Sequence, residues 1–170
     1  WRLVILYRDM GKWDEYANLL SKKIVIYTNP IEEKIDIYQE LVRIYRDILH
    51  QEDKLPQLYE QWLELNPTCD EAVTYLLSHY EQQNQWKEYI RVLKLKAEDS
   101  EDNVKADAYL RIAKISLEQL SERADATDFF EKAFNLAPQT SEAYDYLNAF
   151  YRKDRKWDKL IILQKKWTEN

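Results

Sequence analysis

The chain has 170 residues, enough for one ordinary domain or one short solenoid. One glycine and four prolines are too few for the many tight turns of an all-β or α/β fold. The formal net charge of −6 disfavours a dedicated nucleic-acid binder, whose affinity comes mainly from neutralised phosphates. No apolar run approaches the roughly 20 residues of a membrane span. The single cysteine, Cys69, allows no intrachain disulfide and fits a reducing compartment, with the cytoplasm favoured.

Apolar residues recur at helical spacing, and turn signals cut them into ten predicted helices. They lie near 2–9, 13–27, 31–49, 54–65, 70–82, 86–98, 103–120, 123–135, 141–152 and 156–168. The first carries Leu3, Val4 and Ile5, and the chain enters it mid-pattern on Trp1, as a piece of a longer protein would. Asn-Pro at 29–30 and 66–67 and Ala-Pro at 137–138 end helices, because the residue before proline is pushed out of the α region. Asp14, Asp70, Ser141 and Asp158 can accept first-turn N–H bonds at helix starts. An acidic loop, AEDSEDN at 97–103, is the nearest thing to a linker. The short connections predict antiparallel neighbours.

Two helical hairpins alternate. One type opens its second helix on tryptophan: Trp13, Trp86 and Trp157, each six residues after a tyrosine (Tyr7, Tyr80, Tyr151). The other type ends at Pro67 and Pro138, 71 residues apart. The same offset pairs Tyr38 with Tyr109, Ile44 with Ile115, Tyr75 with Tyr146 and Trp86 with Trp157. Fixed-period self-similarity in a helical chain marks a repeat array. The period is a pair of hairpins. Each tryptophan is expected to fill a gap between hairpins rather than to form a binding stripe.

Ala126, Phe130, Ala133 and Pro138 match the A-x3-F-x2-A-x4-P half of the tetratricopeptide repeat, and the step from residue 110 to residue 144 is 34, the family's length. Leu3, Val42, Leu76, Ala113 and Leu147 take the family's seventh position, and Tyr7, Tyr80 and Tyr151 its eleventh. Over essentially its whole length the chain resembles this family. The resemblance implies an all-α, right-handed solenoid of antiparallel hairpins. It has about five units, near 1–29, 30–67, 68–100, 101–138 and 139–170, with the first incomplete. The sequence departs from the family at position eight, where Val4, Arg43, Leu77, Lys114 and Asn148 replace a small residue, so splayed or offset hairpins are expected. Two steps exceed 34 residues, with the excess in the first helices near 31–49 and 103–120 or in the loops before them.

Sites for chemistry are lacking in the pattern. His50 and His79 have no second pair of ligands to complete a metal centre. Gly11 stands alone, so no glycine-rich loop cradles phosphate. Cys69 reads as a small turn residue, and no Ser/His/Asp order suggests a triad. Neither a cofactor nor catalysis is expected. Arg152, Lys153, Arg155, Lys156, Lys159, Lys165 and Lys166 bias the last hairpin towards positive charge; a solvated outer face accounts for most of this.

In the resembled family the first helices of the hairpins line a concave groove that holds partner peptides at positions two, five, nine and twelve. Carried over, these are Ile37, Glu40, Ile44 and Asp47; Glu71, Thr74, Ser78 and Glu81; Ala108, Arg111, Ile115 and Glu118; Glu142, Asp145, Ala149 and Arg152. The polar members, Glu40, Asp47, Thr74, Ser78, Glu81, Arg111, Glu118, Asp145 and Arg152, form the candidate partner-binding set. They lack the lysines and asparagines with which part of the family grips a C-terminal carboxylate. The expected function is a non-enzymatic protein-interaction scaffold, binding through the concave face or the array ends, where self-association is an alternative cover. Two other readings compete: an RNA-processing scaffold of the half-a-tetratricopeptide kind, and an accessory array on an enzyme domain outside this segment.

Overall fold

A computed structural model describes residues 2–26, 30–98 and 100–169. Tyr27, Asn29 and Asp99, which figure in the expected helix end, Asn-Pro stop and acidic loop, lie outside them. All regular elements among the described residues are helical: α1 Arg2–Asp9, α2 Trp13–Ile26, α3 Ile31–Arg43, α4 Leu55–Leu65, α5 Asp70–Gln82, α6 Trp86–Glu98, α7 Asp102–Glu118, α8 Arg123–Leu136, α9 Ser141–Lys153 and α10 Trp157–Thr168. A π-helical turn, Ile44–Ile48, continues α3, and a short 3₁₀ turn, Glu52–Lys54, leads into α4. The chain divides into two compact units, residues 1–79 and 80–170.

The extra residues of the long steps lie in the helices. Both α5 and α9 begin at the first position of the repeat, Asp70 and Ser141, whereas α3 and α7 begin five residues earlier, at Ile31 and Asp102. Each hairpin turn holds one residue in the left-handed region: Gly11, His50, Asn84, Ser121 and Arg155, with φ between 53° and 67°. In the tryptophan hairpins these turns are Schellman caps, closed by the amide of the next residue on the carbonyl of the repeated tyrosine. Lys12 donates to Tyr7 (2.9 Å), Gln85 to Tyr80 (2.8 Å) and Lys156 to Tyr151 (2.9 Å). The other turns are one residue wider, with Gln51 donating to Tyr45 and Glu122 to Ser116, both at 2.8 Å. The 71-residue alternation is therefore written in the backbone as two turn geometries.

Only Gly11 escapes the steric cost of that conformation, about 1–2 kcal/mol for an L-residue. Ser121→Gly and Arg155→Gly should each stabilise the fold by roughly 0.5–1 kcal/mol once glycine's greater unfolded-state freedom is subtracted. Gly11→Ala should cost about 1 kcal/mol by φ alone, since the nearest atom to an added Cβ is Trp13 Nε1 at 3.9 Å. Urea denaturation of the three variants measures this. A loss of stability in both glycine variants would refute the strain argument.

In residues 1–79 the core is a column of rings. Trp62 is stacked between Tyr38 (6.1 Å between ring centres) and Tyr59 (5.9 Å), and the column continues through Tyr75 (4.3 Å from Tyr59) to His79 (6.1 Å from Tyr75). Leu41, Ile44, Leu63 and Leu76 close round it with 1 % exposure or less. Residues 80–170 repeat part of this column 71 residues on, with Phe130 to Tyr146 at 4.1 Å and Tyr146 to Phe150 at 6.1 Å. Ala113, Ala126, Ala143 and Leu147 pack beneath it. These hairpins bury the seventh position of the expected repeat, at Val42, Leu76, Ala113 and Leu147.

Trp13 and Trp86 are half-buried, each edge-on to the buried tyrosine three residues later, Tyr16 or Tyr89, at 6.0 Å. Trp157 departs from the expected sealing role. Leucine replaces that tyrosine at 160, and the indole is 56 % exposed. On α10, Leu163 is buried, and Trp167 stacks on Tyr144 at 4.4 Å. Leu3, Ile5, Ile161 and Ile162 are exposed.

Candidate functional site: the polar faces of the first helices

Position eight explains how first helices tolerate large side chains where the resembled family has a small one. Arg43 is exposed and turns back onto Glu40, and Lys114 pairs with Glu142 of the next first helix. These side chains are spent on the polar face of the first helices.

In residues 1–79 this face is carried by α3, its π turn and α5. Glu40 is half-buried, with a carboxylate that accepts from Arg43 Nε at 3.0 Å and Nη2 at 2.8 Å, and from the Tyr16 hydroxyl at 3.5 Å. Asp47 is exposed and takes the Arg46 Nε at 2.9 Å. Thr74 and Ser78, one turn apart on α5, are exposed. Glu71, on the same α5 face, accepts the Tyr59 hydroxyl at 3.0 Å. Burial first, then that hydrogen bond, pushes the Tyr59 phenol well above its ordinary range.

In residues 80–170, Glu81 is exposed in the last turn of α5. Arg111 is exposed but committed, its guanidinium over the ring of buried Tyr89 at 5.6 Å from the centre. Glu118 lies two turns further along α7. On α9, Asp145 and Arg152 are two turns apart and exposed, and Arg152 Nε donates to Asn148 Oδ1 at 3.2 Å. The structure thus brings the polar candidates together in helix-face rows within each compact unit. It removes three apolar groove positions: Ile37, Ile44 and Ala108 are 6 %, 0 % and 7 % exposed and belong to the core. Position-by-position transfer cannot see this, because burial depends on the neighbouring elements rather than on the position within the repeat.

A second feature escaped the sequence reading. An open pocket of about 210 Å³ lies between α8 and α10. Its floor is Phe134, Leu147 and Leu163, with Ile162 at the edge. Glu131, Asn135, Tyr151, Lys159 and Lys166 supply its polar groups. Glu131 Oε1 accepts both the Tyr151 hydroxyl (2.6 Å) and Lys159 Nζ (2.7 Å), and Lys166 Nζ donates to Asn135 Oδ1 at 2.9 Å. Burial and the Glu131 bond raise the Tyr151 phenol above its ordinary range. The basic bias of the last hairpin was the available signal. Comparison across the 71-residue offset sharpens it, since Lys159 and Lys166 stand where α6 has Glu88 and Leu95.

The residues weighed for chemistry lie in turns and in the ring column. Cys69 is half-buried, and its carbonyl accepts the Val73 amide at the start of α5. His50 occupies a left-handed turn, and His79 stacks on Tyr75. Among the described residues, no group of three His, Cys, Asp or Glu could hold a metal ion. Nor is any helix among them long and apolar enough to cross a membrane.

These polar faces lie on the first helices of the hairpins of an all-α protein. No family model matches the chain, and no curated protein matches it. Among solved structures it is similar to the crystal structure of MamA, at 21 % identity over 96 % of this chain and 91 % of that one, with a TM-score of 0.47. It is also similar to pilF of Pseudomonas aeruginosa, at 16 % identity over 99 % of this chain and 73 % of that one, with a TM-score of 0.47.

Proposed function

We propose that this chain is a non-enzymatic protein-interaction scaffold whose partner segment lies on the polar faces of the first helices. The observation that carries this reading is the spacing of exposed polar side chains on α5, α7 and α9 above buried neighbours on the same helices. Thr74 and Ser78 in residues 1–79 lie one turn apart, and Arg111 and Glu118, and Asp145 and Arg152, in residues 80–170 lie two turns apart; each row by itself is one that an extended or helical peptide can follow. Mixed charge on these rows suits a partner of mixed charge, and screening would then weaken binding at high salt.

Glu40 and Arg111 are poor positions for a test, because reversing them also disturbs Tyr16 or Tyr89. Asp145→Lys with Arg152→Glu alters one compact unit, and Asp47→Lys with Thr74→Arg the other. Each pair should cut retention of the stable partner by about tenfold or more, in line with the loss of a few interfacial charges. Unchanged retention by both pairs would remove the first helices as the binding face.

A further inference from the structure

The pocket between α8 and α10 has a chemistry distinct from the first-helix faces. Its apolar floor is overhung by Ile162, 57 % exposed, and bounded by Lys159 and Lys166. At about 210 Å³ it is smaller than the roughly 300–1,000 Å³ of a typical small-molecule site. It has room for one bulky side chain, the usual anchor of a protein interface. From Arg152 to Glu169 the chain carries seven cations against three acids, within a protein of net charge −6.

Stacking of another hairpin would not fill this pocket. On α6, which packs against α7, the row Ile90, Leu93 and Ala97 is buried at 7 %, 4 % and 1 %. Its counterpart on α10 is Ile161, Gln164 and Thr168, following the exposed Trp157. The pocket uses a different row, Lys159, Ile162, Leu163 and Lys166, at i, i+3, i+4 and i+7. The pocket row therefore stays open whether or not the Ile161 row is covered.

We infer that the groove between α8 and α10 is a second docking surface, for an acidic protein segment that inserts one bulky apolar side chain between Lys159 and Lys166. The long-range charge attracts such a segment, and the pocket selects it. A nucleic acid fits less well. The floor offers aliphatic groups and buried rings rather than an open platform on which bases could stack.

The test uses the full chain and a fluorescent peptide of about twelve residues, one Phe set among Glu, Asp and Ser, read by anisotropy at low salt. Controls are the same peptide with Phe replaced by Ser, the same peptide with its acids replaced by Lys, and an oligouridylate of equal length. The inference predicts saturable binding of the parent peptide. It also predicts about tenfold or greater weakening for both peptide controls and for Ile162→Glu and Lys166→Glu, whose exposed positions keep the fold intact by circular dichroism. The Asp145→Lys/Arg152→Glu pair should bind like wild type, which separates this surface from the first-helix face. No saturable binding at about 1 mM, equal binding of the Ser peptide, tighter binding of the oligouridylate, or insensitivity to both pocket variants would each overturn it.

Discussion

Trp62→Ala should destabilise the protein by about 3–5 kcal/mol, the range for deleting a buried large aromatic. The indole is 2 % exposed and lies parallel to the rings of both Tyr38 and Tyr59, so its removal breaks the ring column. A typical domain has only about 5–15 kcal/mol in total, so residues 1–79 should melt early or fail to fold. Trp62→Phe should be much milder, below about 1.5 kcal/mol. The Trp62 Nε1–H is buried without an acceptor among the described residues, and phenylalanine removes that donor while keeping most of the apolar contact. Urea denaturation followed by far-ultraviolet circular dichroism resolves the two variants. Equal losses for both would mean that the indole's volume, not its stacking, is what the site requires.

Alkali should unfold the protein cooperatively from about pH 10 upward. Tyr16, Tyr38, Tyr59, Tyr75, Tyr89 and Tyr151 all have phenols raised above the ordinary value, with burial as the largest cause in each. Tyr59 and Tyr151 are raised furthest, because Glu71 and Glu131 also accept their hydroxyls. A raised folded-state pKa means that the unfolded chain releases its phenolic protons first. Stability is thus full below about pH 10 and falls between the unfolded and folded values, by up to about 1.4 kcal/mol per pH unit for each such tyrosine. The double variant Tyr59→Phe/Tyr151→Phe should flatten that slope by about two tyrosines' share. Denaturation midpoints measured from about pH 8 to 11 give the slope. One that is the same in the double variant would contradict the assignment.

Much of the fold was legible because the signals were redundant. Period 3.6, Asn-Pro and Ala-Pro stops and the 71-residue self-match all point to the same helices, and α5, α6 and α9 begin where the pattern places them. The hairpin turns were less legible. Only Gly11 announces a left-handed residue, whereas His50, Asn84, Ser121 and Arg155 adopt it because the Schellman and wider caps require it. The candidate face was legible only in part. Helix rows follow from spacing, but which members of a row are covered depends on what packs against it, and Ile37, Ile44 and Ala108 lie in the core. The pocket between α8 and α10 was not legible, since it depends on how second helices of successive hairpins meet, which no single helix encodes.

Site-specific photocrosslinking in the native cells tests the scaffold reading most directly. A photoreactive residue is placed at Asp145 or Thr74 on the first-helix faces, or at Lys132, exposed on α8 beside the Phe129 ring. The account predicts a discrete crosslinked protein from Asp145 or Thr74 that is absent from Lys132. The same product from all three positions, or a product from Lys132 alone, would contradict binding at the first helices.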